Sequence, residues 1–142
     1  MSPLRTFIVE DSSIILDNLV ATLEELADVK VVGSAADEQS AIDWIRNASG
    51  GFDLVIVDIF LKSGSGLGVL RAVQEAGLVG RRVVLTNYAT PDIRRRCAAL
   101  GADRVFDKSG ELEDLIDYCS QMAGDKTGDK TDRSARASGE SG

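Results

Sequence analysis

Five short apolar runs, at residues 6–9, 29–32, 54–57, 83–85 and 104–106, alternate with five amphipathic helical patterns along this chain. No other feature restricts the fold so tightly. Leu54-Val55-Ile56-Val57 and Val83-Val84-Leu85 are unbroken and rich in branched side chains. A strand reads this way when both of its faces are covered, as in a parallel sheet flanked by helices. Between the runs, Ile15, Leu19, Leu23 and Leu26 share a helical spacing, as do Ala41, Ile45 and Ala48, and Leu67, Leu70 and Val73. Ile93, Cys97 and Leu100 make a fourth stripe, and Leu112, Leu115, Ile116, Cys119 and Met122 a fifth. Each stripe lets a helix lie on the sheet. Strict alternation with right-handed crossovers predicts an α/β fold, a doubly wound five-stranded parallel sheet with five helices.

The punctuation agrees. Thr90 followed by Pro91 reads as an N-cap and first helical residue. Ser12 or Ser13, Ser65 and Ser109 are further candidate caps, and Gly77 and Gly101 stand where helices should stop. The domain is expected over residues 1–123. Residues 124–142 contain no apolar side chain larger than alanine and cannot offset the entropy of ordering, so a disordered polar tail is expected there.

Composition removes several functions. The formal net charge is −7, and because the tail from residue 125 holds four acids and four bases, the excess lies in the domain and argues against nucleic acid as partner. The chain has no histidine, which excludes Ser-His-Asp and Cys-His catalysis and imidazole zinc sites. Cys97 and Cys119 match no metal or redox spacing and read as reduced thiols. No apolar run reaches membrane-spanning length and the start has no signal-peptide layout, so no membrane association and a cytoplasmic location are expected.

Ligands of open parallel sheets bind beyond the carboxyl ends of the strands. Glu10 and Asp11 follow the first apolar run, Asp58 the third, Thr86 the fourth and, past Asp107, Lys108 the fifth. Gly33 and Ser34 after the second run add nothing to this set. A single acid after an apolar strand is ordinarily a solvated strand end or a helix cap, but these residues share one rim. Converging carboxylates repel unless one is protonated or a cation sits among them. All-oxygen ligation suits a hard ion such as Mg²⁺. Lys108 supplies a mobile positive charge and Thr86 a hydroxyl. A metal, an ammonium and a hydroxyl around one carboxylate is the equipment of phosphoryl transfer.

The segments FIVEDSS, DLVIVDIFLKSGSGLGVL, VVLTNYAT and GADRVFDKS carry a resemblance, over residues 4 to about 123, to the receiver domain of bacterial two-component response regulators, the chemotaxis-regulator type. The resemblance implies the flavodoxin-like strand order 2-1-3-4-5. It implies Asp58 as the phosphorylated nucleophile. It implies Glu10, Asp11, Asp58 and the backbone carbonyl of Phe60 as Mg²⁺ ligands, with Thr86 and Lys108 contacting the phosphoryl group along with amides near Phe60 and Asn87. Gly66 matches the glycine of the loop beyond Asp58.

The chain departs from the family pattern in places. Ser109 and Lys62 stand where prolines are common, so no cis bond is expected before Ser109. Asn87 occupies a position often held by a small residue. Phe60 and Tyr88 flank the path of attacking water and are expected to slow dephosphorylation. Val105 stands where receivers often carry Tyr or Phe, so the expected switch is weak or runs through Tyr88. Phe106 points to the other face of its strand and is expected in the core.

Competing readings fare worse. A haloacid-dehalogenase-like phosphatase needs an acid two residues after the nucleophile, where Phe60 stands. The glycine run at 64–68 fails the dinucleotide spacing at Val69 and follows the wrong strand. Arg94, Arg95 and Arg96 fan around a helix and read as a solvated face. A degenerate receiver that binds partners without phosphorylation is the remaining alternative. The favoured reading is a phosphoacceptor that catalyses only its own phosphorylation and dephosphorylation. Its phosphate comes from a sensor histidine kinase or histidine phosphotransfer protein, because this chain has no histidine to supply. The tail is too short for an output domain, so a single-domain protein is expected, with output through contact with a downstream protein or onward relay.

Overall fold

The computed structural model describes residues 3–47 and 51–126. The elements follow the expected alternation: β1 (Leu4–Val9), α1 (Ser13–Leu26), β2 (Val29–Ala35), α2 (Glu38–Asn47), β3 (Leu54–Val57), α3 (Gly66–Ala76), β4 (Arg81–Thr86), α4 (Pro91–Ala99), β5 (Arg104–Asp107) and α5 (Leu112–Lys126). All paired strands are parallel, in the order β2-β1-β3-β4-β5. This is the flavodoxin-like arrangement.

Strand alternation divides the apolar side chains between two cores. Leu54, Ile56, Val83, Leu85 and Phe106 face α1 and α5, where Leu19, Leu23, Leu115 and Cys119 meet them. Val55, Val57 and Val84 face α2, α3 and α4, where Ala41, Ile45, Val69, Leu70, Val73 and Cys97 meet them. Both faces of β3 and β4 are therefore covered, which is why their sequences do not alternate with polar residues. Each such side chain contributes about 2 kcal/mol on burial. Phe106 is in the core, as expected, and Val105 packs against the opposite core. Both thiols are free and buried, and burial pushes Cys97 up to about 11 and Cys119 up to about 12, which keeps them protonated and unreactive.

The caps mostly form where the sequence places them. The hydroxyls of Ser12, Ser65 and Thr90 accept the amides of Ile15, Leu67 and Ile93, and Pro91 opens α4. Gly77 and Gly101 end α3 and α4. Ser109 does not cap α5. Its hydroxyl and its amide both donate to Asp107 Oδ1 instead, and α5 begins only at Leu112. The peptide bonds of the described residues include no cis form.

Two further expectations change. Ile15, Leu26 and Leu112, at helix ends, are exposed rather than buried in the stripes. Arg94, Arg95 and Arg96 are all exposed, as a solvated face requires. Arg95 and Arg96 pair with Asp92, but Arg94 reaches back to donate to the carbonyls of Ala89 and Val105 and to Glu111. Helix α5 runs on through Gly124 and Asp125 to Lys126. Ala48 and residues 127–142, the rest of the expected tail, lie outside the described residues. Among the described residues, no helix is long and apolar enough to cross a membrane.

Candidate functional site

The sheet ladder continues one residue past several strands and fixes the rim. Glu10 N–H donates to Ala35 O, Asp58 N–H to Val9 O and Lys108 N–H to Thr86 O, at 3.0, 3.0 and 2.9 Å. These bonds put neighbouring strand ends in register, so side chains from β1, β3, β4 and β5 meet at one place. A cavity of about 170 Å³ opens there, lined by Glu10, Asp11, Asp58, Phe60, Thr86 and Lys108 among others. Every residue that the sequence assigns to the site is on its wall.

Oxygens of Glu10, Asp11 and Asp58 lie within 4.8 Å of one another. Glu10 and Asp58 are only 4% and 7% exposed, and buried charge is costly unless paired. Lys108 provides the pairing, with Nζ 2.7 Å from Glu10 Oε1 and 3.0 Å from Asp58 Oδ2. Burial works against the Lys108 charge, yet the hydrogen bonds and charges of Glu10 and Asp58 outweigh it and hold its pKa above the ordinary 10.5.

Backbone amides orient each acid. Ser12 N–H donates to Glu10 Oε2 at 3.0 Å, Lys62 N–H to Asp11 Oδ2 at 2.7 Å and Phe60 N–H to Asp58 Oδ1 at 3.3 Å. Thr86 is fully buried, and its hydroxyl oxygen accepts the Tyr88 amide at 3.3 Å. Over the mouth, the Phe60 and Tyr88 rings meet edge to face at 5.1 Å while remaining 49% and 60% exposed. Gly66 is required by close approach, because a Cβ there would collide with the Asp58 carbonyl and Ile59 Cα. The sequence reading missed the amides of Ser12 and Lys62, since a backbone donor leaves no mark on residue identity. Chemically, the rim offers an all-oxygen donor set that fits a hard divalent cation, an ammonium already among the acids, and a hydroxyl beside them.

Comparison with known proteins agrees with this geometry. The response regulator receiver domain profile matches residues 6–120. The uncharacterized transcriptional regulatory protein YvfU of Bacillus subtilis is 32% identical over 114 residues, which is 80% of this chain and 56% of that one. The transcriptional regulatory protein DltR of Streptococcus agalactiae is 33% identical over 113 residues, 80% of this chain and 49% of that one. The chain thus spans about half the length of these curated relatives. Among solved structures, the signal receiver domain of the response regulator NarL of Mycobacterium tuberculosis shares the fold with a TM-score of 0.76 at 21% identity, over 87% of this chain and 98% of that one. With its 2-1-3-4-5 sheet, its acidic cluster of the kind receivers use for Mg²⁺, and a match over most of its length, the chain belongs to the response regulator receiver domain family.

Proposed function

We propose that Asp58 is the phosphoacceptor of a two-component phosphorelay, receiving its phosphoryl group from a phosphohistidine on a sensor kinase or phosphotransfer protein. The observation that carries this reading is the convergence of three carboxylates at one cavity, two of them, Glu10 and Asp58, paired with the Lys108 ammonium. An Asp58 oxygen attacks phosphorus in line. The new P–O bond forms as the P–N bond breaks, and that electron pair stays on the departing imidazole, which takes a proton from solvent.

The side chains of Glu10, Asp11 and Asp58 and the carbonyl of Phe60 would hold Mg²⁺. When bound, the ion supplies positive charge opposite the phosphoryl oxygens. Lys108 exchanges its contact with Asp58 for one with a phosphoryl oxygen, so its charge stays paired throughout. Thr86 donates its hydroxyl to another. Phe60 and Tyr88 narrow the path of the water that later hydrolyses the acyl phosphate. The added charge biases a conformational equilibrium, and output passes by contact with a downstream protein or by onward relay.

Mass spectrometry after incubation with acetyl phosphate and Mg²⁺ tests the reading. One phosphoryl adduct is expected on the wild type and none on Asp58→Asn, with circular dichroism unchanged. Label that persists on Asp58→Asn identifies another acceptor. A wild type that takes no label favours the receiver that binds partners without phosphorylation.

A further inference from the structure

The loop between β3 and α3 is held at both sides of its tip. Its base is closed by an antiparallel bridge between Phe60 and Ser65 and by the Gly66 amide, which donates to Ile59 O at 2.9 Å. On one side of the tip, Lys62 N–H grips Asp11 Oδ2. On the other side stands Glu38, the first residue of α2.

Glu38 touches this loop and the first turn of α3 in four ways. Its amide donates to Ser63 O at 3.2 Å. Its Oε1 accepts the Ser65 amide at 2.8 Å. Its Cβ occupies the space that a side chain at Gly64 would need, where the backbone is left-handed with φ 83°. Its Oε2 does the same at Gly68. The carboxylate therefore sits against the first turn of α3, where a negative charge is favoured by the helix dipole and by amides without intrahelical partners. Asp37 makes this arrangement possible. Its Oδ1 accepts the Ser40 amide at 2.8 Å and so serves the start of α2, leaving the Glu38 carboxylate for the neighbouring helix.

We infer that Glu38 is a positioning residue for the phosphoacceptor site, pinning the tip of the β3–α3 loop so that the Lys62 amide stays on Asp11 and Phe60 stays beside Asp58. Only its consequence for metal binding rests on the phosphoacceptor reading. A residue that orients a metal ligand from the outer shell typically alters affinity by about 10–100-fold when removed.

The experiment compares wild type, Glu38→Ala, Glu38→Gln and Glu24→Ala. Glu24 is a matched control, since its Oε2 accepts the Val31 amide at 2.9 Å at the other end of α1 from Ser12. Amide hydrogen exchange at Lys62 and Ser65 is read in metal-free protein, and Mg²⁺ affinity is read from amide NMR shifts on titration. Glu38→Ala is expected to speed exchange at both amides and weaken Mg²⁺ binding about tenfold. Glu38→Gln keeps an oxygen acceptor and is expected to recover most of both. Glu24→Ala is expected to change neither. Should Glu38→Ala not fold, Glu38→Asp, too short to reach Ser65, carries the same expectation. Unchanged Lys62 exchange and Mg²⁺ affinity in a folded Glu38→Ala, or an equal loss in Glu24→Ala, would overturn the inference. A wild type that binds no Mg²⁺ would sink the phosphoacceptor reading instead, and Lys62 exchange would still decide whether Glu38 holds the loop.

Discussion

Acids stand at both ends of this sheet, and the two ends treat them differently. At the amino ends, Asp53 Oδ2 accepts the Arg5 amide and Asp103 Oδ2 the Arg82 amide, each at 2.8 Å across to the neighbouring strand. Their own backbone groups extend the same ladders, with Asp53 N–H donating to Arg5 O and Asp103 N–H to Arg82 O. These acids lie outside the buried set and stitch strand starts together. At the carboxyl ends, Glu10 and Asp58 are buried, and their charge is balanced by a side chain from a distant part of the chain, Lys108. An acid beside an apolar run thus means little until its partner is known. Where backbone amides of the next strand satisfy it, it is structural. Where two buried acids share one ammonium, charge is concentrated at a cavity, and it is there that we propose chemistry.

Asp107 shows that rim position alone is not enough. It ends β5 at the carboxyl side, yet its Oδ1 is taken by the hydroxyl and amide of Ser109. It behaves as the amino-end acids do.

Substitutions can break or sharpen this contrast. The largest effect is expected from Lys108→Met, which leaves buried acids without their counter-charge. Phosphorylation by acetyl phosphate should slow about a hundredfold. Urea unfolding of metal-free protein should show a loss of about 3 kcal/mol, recovered as Mg²⁺ is added. At the amino ends, Asp53→Ala and Asp103→Ala should each cost about 1 kcal/mol through a lost, solvent-accessible hydrogen bond to a strand amide, with phosphorylation rates at the wild-type value. A phosphorylation defect in either would erase the distinction between the two ends.

A smaller effect is expected at the mouth. Tyr88→Ala opens one side of the Phe60–Tyr88 pair, and decay of phosphorylated protein should become several-fold faster. An unchanged half-life would remove the rings from the water path. The smallest effect concerns Asp107. The Ser109 hydroxyl and then its amide hold the Asp107 carboxyl below its ordinary 3.8. A depressed carboxyl stabilises the fold above its unfolded value and loses that contribution as pH falls through the folded one. Ser109→Ala should therefore be slightly less stable than wild type at neutral pH, and the gap should close below pH 3.8. Acid titration followed by circular dichroism checks the sign.

Much of the site was legible in the sequence because the βα period is strict. Once five runs are strands of a parallel sheet, the residues that follow them share a rim by topology, and Glu10, Asp11, Asp58, Thr86 and Lys108 can be named without coordinates. The Thr90-Pro91 start and the Gly77 stop of helices were legible for the same reason, since caps are local chemistry. Ser109 was misleading because a hydroxyl can serve the residue two before it as readily as the helix ahead, and nothing local decides between them.

The sequence by itself determined the alternation of elements, the burial of both sheet faces and the identity of the rim acids, because periodicity and side-chain type are properties of the chain. Only the tertiary structure decided which acids share Lys108, which are satisfied by strand amides, that Arg94 clasps β5, and that Glu38 serves a neighbouring helix. Those outcomes depend on backbone donors and on contacts between segments far apart in the chain, and neither is written in the type of any one residue.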